Sequence, residues 1–466
     1  MPDLMNKAQL ADAAKTLAAS FDLVQREAIT FIPVHWDTGE VEPPPAVGER
    51  IWVPFTREDK MRLSNIKSHI LFSSDGEFRS FDFMVRQVAS YHADTITGIL
   101  VKTQRGLKML DEAGQLVDHD GRFTPNYVKP VLNESEEDKK FVFDTISEWL
   151  GDDPEEAISL LRHLSTCLAP SYSAVKYVLF IGEGRNGKSV LLSMLSMLFG
   201  KENVSNVTRQ MMAERSPTIA ELNDKLVNIV MDGEMAYLKD SSVEKTLVAG
   251  ENIVVRMLFE SGTTTVRTNA LFIEALNIEP KNRDKSPALQ KRLARFKFPN
   301  VYALDKMFFK KMTSERYLGA LLGLLIDHYV LEEDLADKLT LTKGSLELQL
   351  EQVYLGSPIL QFLEHLYSQD AGAIKRLSDG TMKVETFLAS YKPWAETQKF
   401  EERNDAEILT MMKSSFDIGW KTFRENKVPK NHRTIKGIKP ETALALDQLK
   451  GEDDGAEHLS EELVGD

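Results

Sequence analysis

Short apolar runs alternate with longer helical stripes along this chain. The run Tyr177-Val178-Leu179-Phe180-Ile181 has the length of a strand and ends in a glycine-rich turn. From Val190 to Phe199, leucines and methionines crowd the sequence as they do in a buried helix. Strand, glycine loop and helix in that order are the signature of an α/β fold. A second strand is expected at residues 226–231 and a third at 270–273. Upstream, Phe141, Val142, Ile146, Trp149 and Leu150 recur at helical spacing, and Pro154 and Pro170 bracket a further helix over 155–168. The first 130 residues read as mixed α/β, with short strands at 69–72 and 96–101 and a stiff proline connector at 41–45. Residues 304–331 are helical and apolar, and 357–440 form a compact helical pattern with one small hairpin. The expected division is an N-terminal α/β region (1–130), a helical segment (131–175), a core with a helical extension (176–345), a small C-terminal domain (356–445) and an acidic tail (446–466).

Composition narrows the class. A chain of 466 residues is too long for one compact core, and its 42% hydrophobic and 27% charged residues are ordinary for a globular protein. No apolar run reaches the length of about 18 residues that a membrane span needs. The N-terminal segment lacks the basic region and apolar core of a secretory signal. The single cysteine, Cys167, excludes an internal disulfide and a cysteine-based zinc site. A cytoplasmic protein without structural metal is therefore expected, with no membrane partner. The net charge of −14 argues against a surface that coats nucleic acid, yet leaves room for a narrow basic channel. Part of the acidic excess lies in the last 16 residues, 451–466, which read as a solvated tail.

The glycine turn carries the chemistry. Gly182-Glu183-Gly184-Arg185-Asn186-Gly187-Lys188-Ser189 fits the phosphate-loop pattern GxxxxGK[ST] in full. Gly182 and Gly187 let the backbone wrap closely, so that its N–H groups point at phosphate oxygens, and the following helix adds its positive N-terminal end. Lys188 reaches the β and γ phosphates and Ser189 ligates magnesium. A chain of this length would match the pattern by chance roughly 0.02 times. ATP and Mg²⁺ are the expected ligands. A loop of this kind needs a carboxylate at a neighbouring strand end, and Asp232 and Glu234 follow the apolar run 226–231 on one side of it. Asp232 is the candidate for the metal and Glu234 for activating water, with the two roles open to exchange.

Further along, the block from Lys245 through Ala249-Gly250-Glu251 to Arg256 resembles the segment between the second and third motifs of superfamily 3 helicases. The nearest likeness is their phage and poxvirus primase-helicase branch. The strand 270–276 ending in Asn277, with Pro280 after it, resembles that branch's next motif, and Lys291-Arg292 followed by Arg295 resembles its arginine pair. Two motifs depart from the family pattern: Ala249-Gly250-Glu251 stands for Gly-Gly-Asp, and Lys291 replaces the first arginine. The likeness spans roughly residues 95–440. It implies a P-loop AAA+-like motor core and a winged-helix-like C-terminal domain. It also implies Asn277 as a γ-phosphate sensor and Arg292 as an arginine finger offered to a neighbouring subunit, with Arg295 as the runner-up. Lys245, Arg256 and Arg267 are then expected to face a channel and grip single-stranded or forked DNA. A finger that works in trans requires an oligomer, a hexamer being the expected size. No zinc-binding cysteine set or paired metal-binding carboxylates mark a primase in residues 1–95, so a separate primase is an expected partner. The implied activity is ATP-dependent 3′-to-5′ DNA unwinding in phage or mobile-element replication. An ATP-gated origin-melting initiator and a small-molecule kinase remain as alternatives.

Overall fold

The computed structural model describes residues 7–439 except 27–28, 36, 42–44, 47–48, 69–74, 92–97, 121–122, 174–175, 234–240, 257–262, 278–286, 347, 349–356, 370–381, 399, 401–402 and 426–427. The expected strand at 69–72, most of the connector at 41–45 and the acidic tail lie outside them. The chain divides into two units, 1–346 and 347–466.

The larger unit begins with helix α1 (Lys7–Phe21) and strands β1 (Val24–Arg26), β2 (Ile29–His35) and β3 (Arg50–Pro54). Helices α2 (Arg57–Ser68) and α3 (Asp75–Val88) and strand β4 (Ser90–Tyr91) follow, and the sheet order is β3-β2-β1-β4. A second small sheet contains β5 (Ile99–Thr103), β6 (Gly106–Leu110), β7 (Leu116–Asp118) and β8 (Tyr127–Val131). Its alternating side chains serve two cores. Leu100, Leu107 and Met109 pack with α1 and α3, whereas Ile99, Val101, Leu110 and Val128 pack into the central core. Packing thus runs continuously across the boundary expected at residue 130.

Helix α4 (Glu136–Trp149) starts where the Ser135 hydroxyl accepts the Asp138 N–H, and α5 (Pro154–Ser165) starts where Asp153 caps Glu155 and Glu156 with Pro154 in the first turn. The residues expected to finish that helix, Thr166–Leu168, tighten into a 3₁₀ turn.

Strand β9 (Tyr177–Ile181) leads through the glycine loop into α6 (Lys188–Phe199). Then come β10 (Val204–Ser205), α7 (Arg209–Ala213), β11 (Val227–Val230), α8 (Ser242–Val248), and the hairpin β12 (Ile253–Arg256) with β13 (Thr263–Val266). Strand β14 (Leu271–Leu276), short helix α9 (Pro287–Gln290) and strand β15 (Leu293–Lys297) complete the core. Five of these strands form one all-parallel sheet in the order β10-β11-β14-β9-β15. Such a sheet is covered on both faces, which is why β9, β11 and β14 are almost uniformly buried. Val178, Phe180, Ile273 and Phe296 meet Leu191, Leu195 and Leu198 of α6 on one face. Tyr177, Leu179, Phe272 and Leu276 meet Val243 and Leu247 of α8 on the other. Strand β14 outruns its expected end at residue 273 because a charged residue, Glu274, is buried inside it at 2% exposure. Helices α10 (Lys306–Met312), α11 (Glu315–Asp327) and α12 (Leu335–Lys338) follow; the single helical stretch expected at 304–331 is broken at Thr313-Ser314.

The smaller unit has helices α13 (Pro358–Gln369), α14 (Val384–Thr397) and α15 (Asp405–Ser415) and the antiparallel hairpin β16 (Phe416–Glu425) with β17 (Val428–Ile438). A capping box joins Asn404 and Glu407 at the start of α15. Phe362, Phe387, Tyr391, Met412, Phe416 and Ile435 fill its core.

Candidate functional site

The glycine loop sits at the carboxyl end of β9, where parallel α/β sheets present ligands to the loops beyond their strands. Two of its residues have the backbone that tight wrapping demands. Gly187 has φ of +93° and lies so close to Trp149 of α4 that a Cβ would stand 2.5 Å from the indole ring. A Cβ on Gly182 would stand 2.4 Å from the Phe298 carbonyl oxygen. Asn186, 3% exposed, ties the loop together: its amide donates to the Phe298 carbonyl at 3.1 Å, and its Oδ1 accepts from Lys188 at 3.0 Å. The Lys188 ammonium also donates to the carbonyls of Gly182 and Glu183. Burial pushes its pKa down to about 8, a shift that the Asp232 carboxylate opposes. Ser189, in the first turn of α6, is exposed.

Backbone bonds bring three strand ends side by side. The Gly182 N–H donates to the Leu276 carbonyl at 3.1 Å, and the Gly233 N–H donates to the Ala275 carbonyl at 2.9 Å. Asn277 follows β14 and Asp232 follows β11, both exposed. With strands about 4.8 Å apart, Asp232 stands two strands, or about 10 Å, from the loop strand. That gap leaves room for a phosphate chain and a hydrated metal ion. Gly184, Arg185, Asn186, Lys188 and Ser189 line a cavity of about 340 Å³ together with Met231, Asp232, Ala275 and Asn277. That volume lies at the lower end of small-molecule sites. Glu183 is exposed and is not part of that lining, and Glu234 lies outside the described residues. The structure therefore brings together the loop, Asp232 and Asn277, and is silent on Glu234.

The arginines are elsewhere. Arg292 is half-buried just before β15, and its carbonyl accepts the Tyr177 N–H at 2.7 Å. It thus marks the amino end of the sheet, five residues of β9 and about 17 Å from Gly182. Next to it, the half-buried Lys176 ammonium donates to the Lys291 carbonyl at 2.8 Å. Burial first, and then Lys291, push the Lys176 pKa down. The runner-up, Arg295, lies in the core. It is 1% exposed inside β15, and its guanidinium donates to Gln290 Oε1 at 2.8 Å. So enclosed, it packs within its own chain. Lys245 on α8, Arg256 at the end of β12 and Arg267 after β13 belong to one lobe beside the core sheet. There Arg256 is exposed, and Arg267 donates to the Gly250 carbonyl at 3.2 Å.

Sequence reasoning missed the residues that hold the loop from behind. Trp149 backs Gly187, and the Tyr302 N–H donates to the Arg185 carbonyl at 2.8 Å. Asn300 and Tyr302 both donate to the Glu148 carbonyl, at 2.8 and 3.2 Å. The bonds of Asn300 and Tyr302 join segments more than a hundred residues apart, and no local pattern announces any of these contacts. A buried group of Arg209, Glu244 and Glu274 was missed too, though the glutamate interrupting the apolar run 270–276 was its visible trace.

A family described as a family of unknown function (DUF5906) matches residues 180–292, the stretch from the end of β9 to Arg292. No curated protein matches the chain. The fold is similar to the A-form apo structure of the NrS-1 C-terminal region, with a TM-score of 0.53 over 94% of this chain and 100% of that one, at 10% identity. Another apo structure of that region gives a TM-score of 0.49 at 11% identity, over 93% of this chain and 100% of that one. The first of these likenesses makes the two folds alike and says nothing of activity. Among the described residues, no helix is long and apolar enough to cross a membrane.

Proposed function

We propose that this chain is an ATP hydrolase that couples turnover to DNA strand separation, working as a ring in the replication of a phage or mobile element. One observation carries the reading: Lys188, Ser189, Asp232 and Asn277 converge on one cavity at the ends of three adjacent parallel strands. In this reading Lys188 exchanges its loop acceptors for β- and γ-phosphate oxygens. The Ser189 hydroxyl and the Asp232 carboxylate are the groups that hold magnesium, Asp232 through water. When bound, the metal neutralises charge on the reacting phosphate. Water attacks the γ-phosphorus, the bond to the bridging oxygen of ADP breaks, and Glu234 takes the proton. Asn277 hydrogen-bonds the γ-phosphate or the attacking water. Arg292 lies too far from its own loop to take part there, which favours action on a neighbouring subunit. Lys245, Arg256 and Arg267 on one lobe favour a sequence-tolerant grip on a DNA backbone.

The test is ATPase rate with and without single-stranded DNA, for wild type and Lys188→Ala. A severalfold rise with DNA and no turnover in the variant are expected. Brisk wild-type turnover that ignores DNA would overturn the coupling and leave small-molecule chemistry in its place.

A further inference from the structure

On the face of the sheet opposite α6 lies a buried charge cluster that the roles above do not use. Arg209 opens α7 at 4% exposure, Glu244 in α8 is 3% exposed, and Glu274 in β14 is 2% exposed. The Arg209 guanidinium is 3.0 Å from the Glu244 carboxylate and 5.6 Å from the centroid of the Tyr177 ring. Burial works against the charge on Arg209, and Glu244 and then Glu274 outweigh it, so its pKa is raised. Burial, with Glu274 next, pushes the Tyr177 phenol well up. On its other side Glu274 presses against the turn after β11: a Cβ on Gly233 would lie 2.4 Å from Glu274 Oε1. That turn carries Asp232. Glu244 immediately precedes Lys245 in α8.

One buried carboxylate, Glu244, therefore holds the buried guanidinium, and a second, Glu274, lies within its field. Glu274 touches the metal-side turn, and Glu244 belongs to the helix assigned to DNA. A guanidinium in contact with one buried carboxylate and within the field of a second has two discrete partners open to it. We propose that Arg209 is a partner-exchanging link. It pairs with Glu244 in one nucleotide state and moves toward Glu274 in another, passing movement of the Asp232 turn to α8 and the β12–β13 hairpin. Arg209, Glu244 and Glu274 act as positioning residues, and none of them lines the cavity. The link rests on the nucleotide and DNA roles proposed above.

The experiment measures affinity of the full chain for a fluorescent single-stranded DNA, with and without a non-hydrolysable ATP analogue. Glu244→Gln leaves Arg209 to Glu274, and Glu274→Gln leaves it to Glu244. Nucleotide-free DNA affinity should shift in opposite directions in the two variants, each by about fivefold or more. Shifts in the same direction, or none, would overturn the link in favour of a static buried pair. Should a glutamine variant not fold, Arg209→Lys keeps the charge but shortens the reach. It should abolish the effect of nucleotide on DNA affinity, and an effect of wild-type size would equally overturn the link. A wild type whose DNA affinity ignores nucleotide would instead sink the parent reading.

Discussion

Lys188 spends its three donors on oxygens of its own loop, at Gly182, Glu183 and Asn186, with 5% of the residue exposed. None of those acceptors carries a full negative charge, so burial wins and the ammonium loses its proton at about pH 8 rather than 10.5. The sign of the consequence follows by linkage. Between those two values the unfolded chain holds a proton that the folded one has released, so the cost of burying this charge is present below about pH 8 and fades as pH rises. A bound triphosphate, already fully ionised there, restores the charge. Binding should therefore take up a proton as pH rises through the lysine's pKa. Affinity should weaken toward a limit of roughly tenfold per pH unit. Calorimetry of ATP binding in buffers of different ionisation enthalpy checks both, and Lys188→Ala should lose the uptake along with most of the affinity. Binding without proton uptake in wild type would mean that Lys188 does not meet the phosphates.

Strand β15 sets two arginines in different environments within four residues. Arg292 stands half-buried before the strand at the amino end of the sheet, and Arg295 is enclosed at its middle, bonded to Gln290, with its own N–H donating to Ser345 Oγ at 3.1 Å. Arg295→Ala should leave a cavity and an unmatched Gln290, lowering stability by about 3 kcal/mol. Arg292→Ala should cost under about 1 kcal/mol, as befits a partly exposed site, while ATPase collapses. Urea unfolding and turnover measured on the same two variants separate them, and a stable, inactive Arg295→Ala would reverse the assignment. The two residues also show what a sequence can and cannot tell. The run 177–181 was legible as a strand because five apolar residues precede glycines, and the loop because its spacing is chemically constrained. Asp232 and Asn277 were legible because each follows an apolar run, and the sheet order then placed them together. The choice between Arg292 and Arg295 was not, since it turns on where the buried strand β15 starts, and that is fixed by the pairing of Leu293 with Tyr177. The supports behind the loop, from Glu148, Trp149, Asn300 and Tyr302, stayed hidden for a related reason. They are contacts between distant segments, and a turn sequence such as 299–305 states no partner.

Across the whole molecule the decisive fact is the separation of two ends of one sheet. The glycine loop, Asp232 and Asn277 occupy the carboxyl ends of the strands, whereas Lys176, Lys291 and Arg292 gather cations at the amino end. Five strand residues keep them about 17 Å apart, several times the reach of a side-chain hydrogen bond. In the proposed reading the two ends therefore serve different nucleotides. Copies arranged head to tail would bring them together, because a heterologous contact sets the amino end of one against the carboxyl end of the next and forms a ring where the rotation closes. Such sharing predicts complementation between two dead proteins. Lys188→Ala retains the arginine and lacks the loop lysine; Arg292→Ala retains the loop and lacks the arginine. In a mixed ring, some interfaces join an intact loop to an intact arginine. Each variant alone should show almost no DNA-stimulated ATPase. Mixing them in equal amounts and allowing subunits to exchange should restore about a quarter of the wild-type rate, if neighbours are drawn at random and interfaces act independently. Sedimentation should show the activity travelling with an oligomer. If the mixture stays as inactive as its parts while exchange is demonstrated by a fluorescent label, the arginine does not serve a neighbouring site. The amino-end cations would then belong to some other contact, and the case for a ring would lose its strongest geometric support.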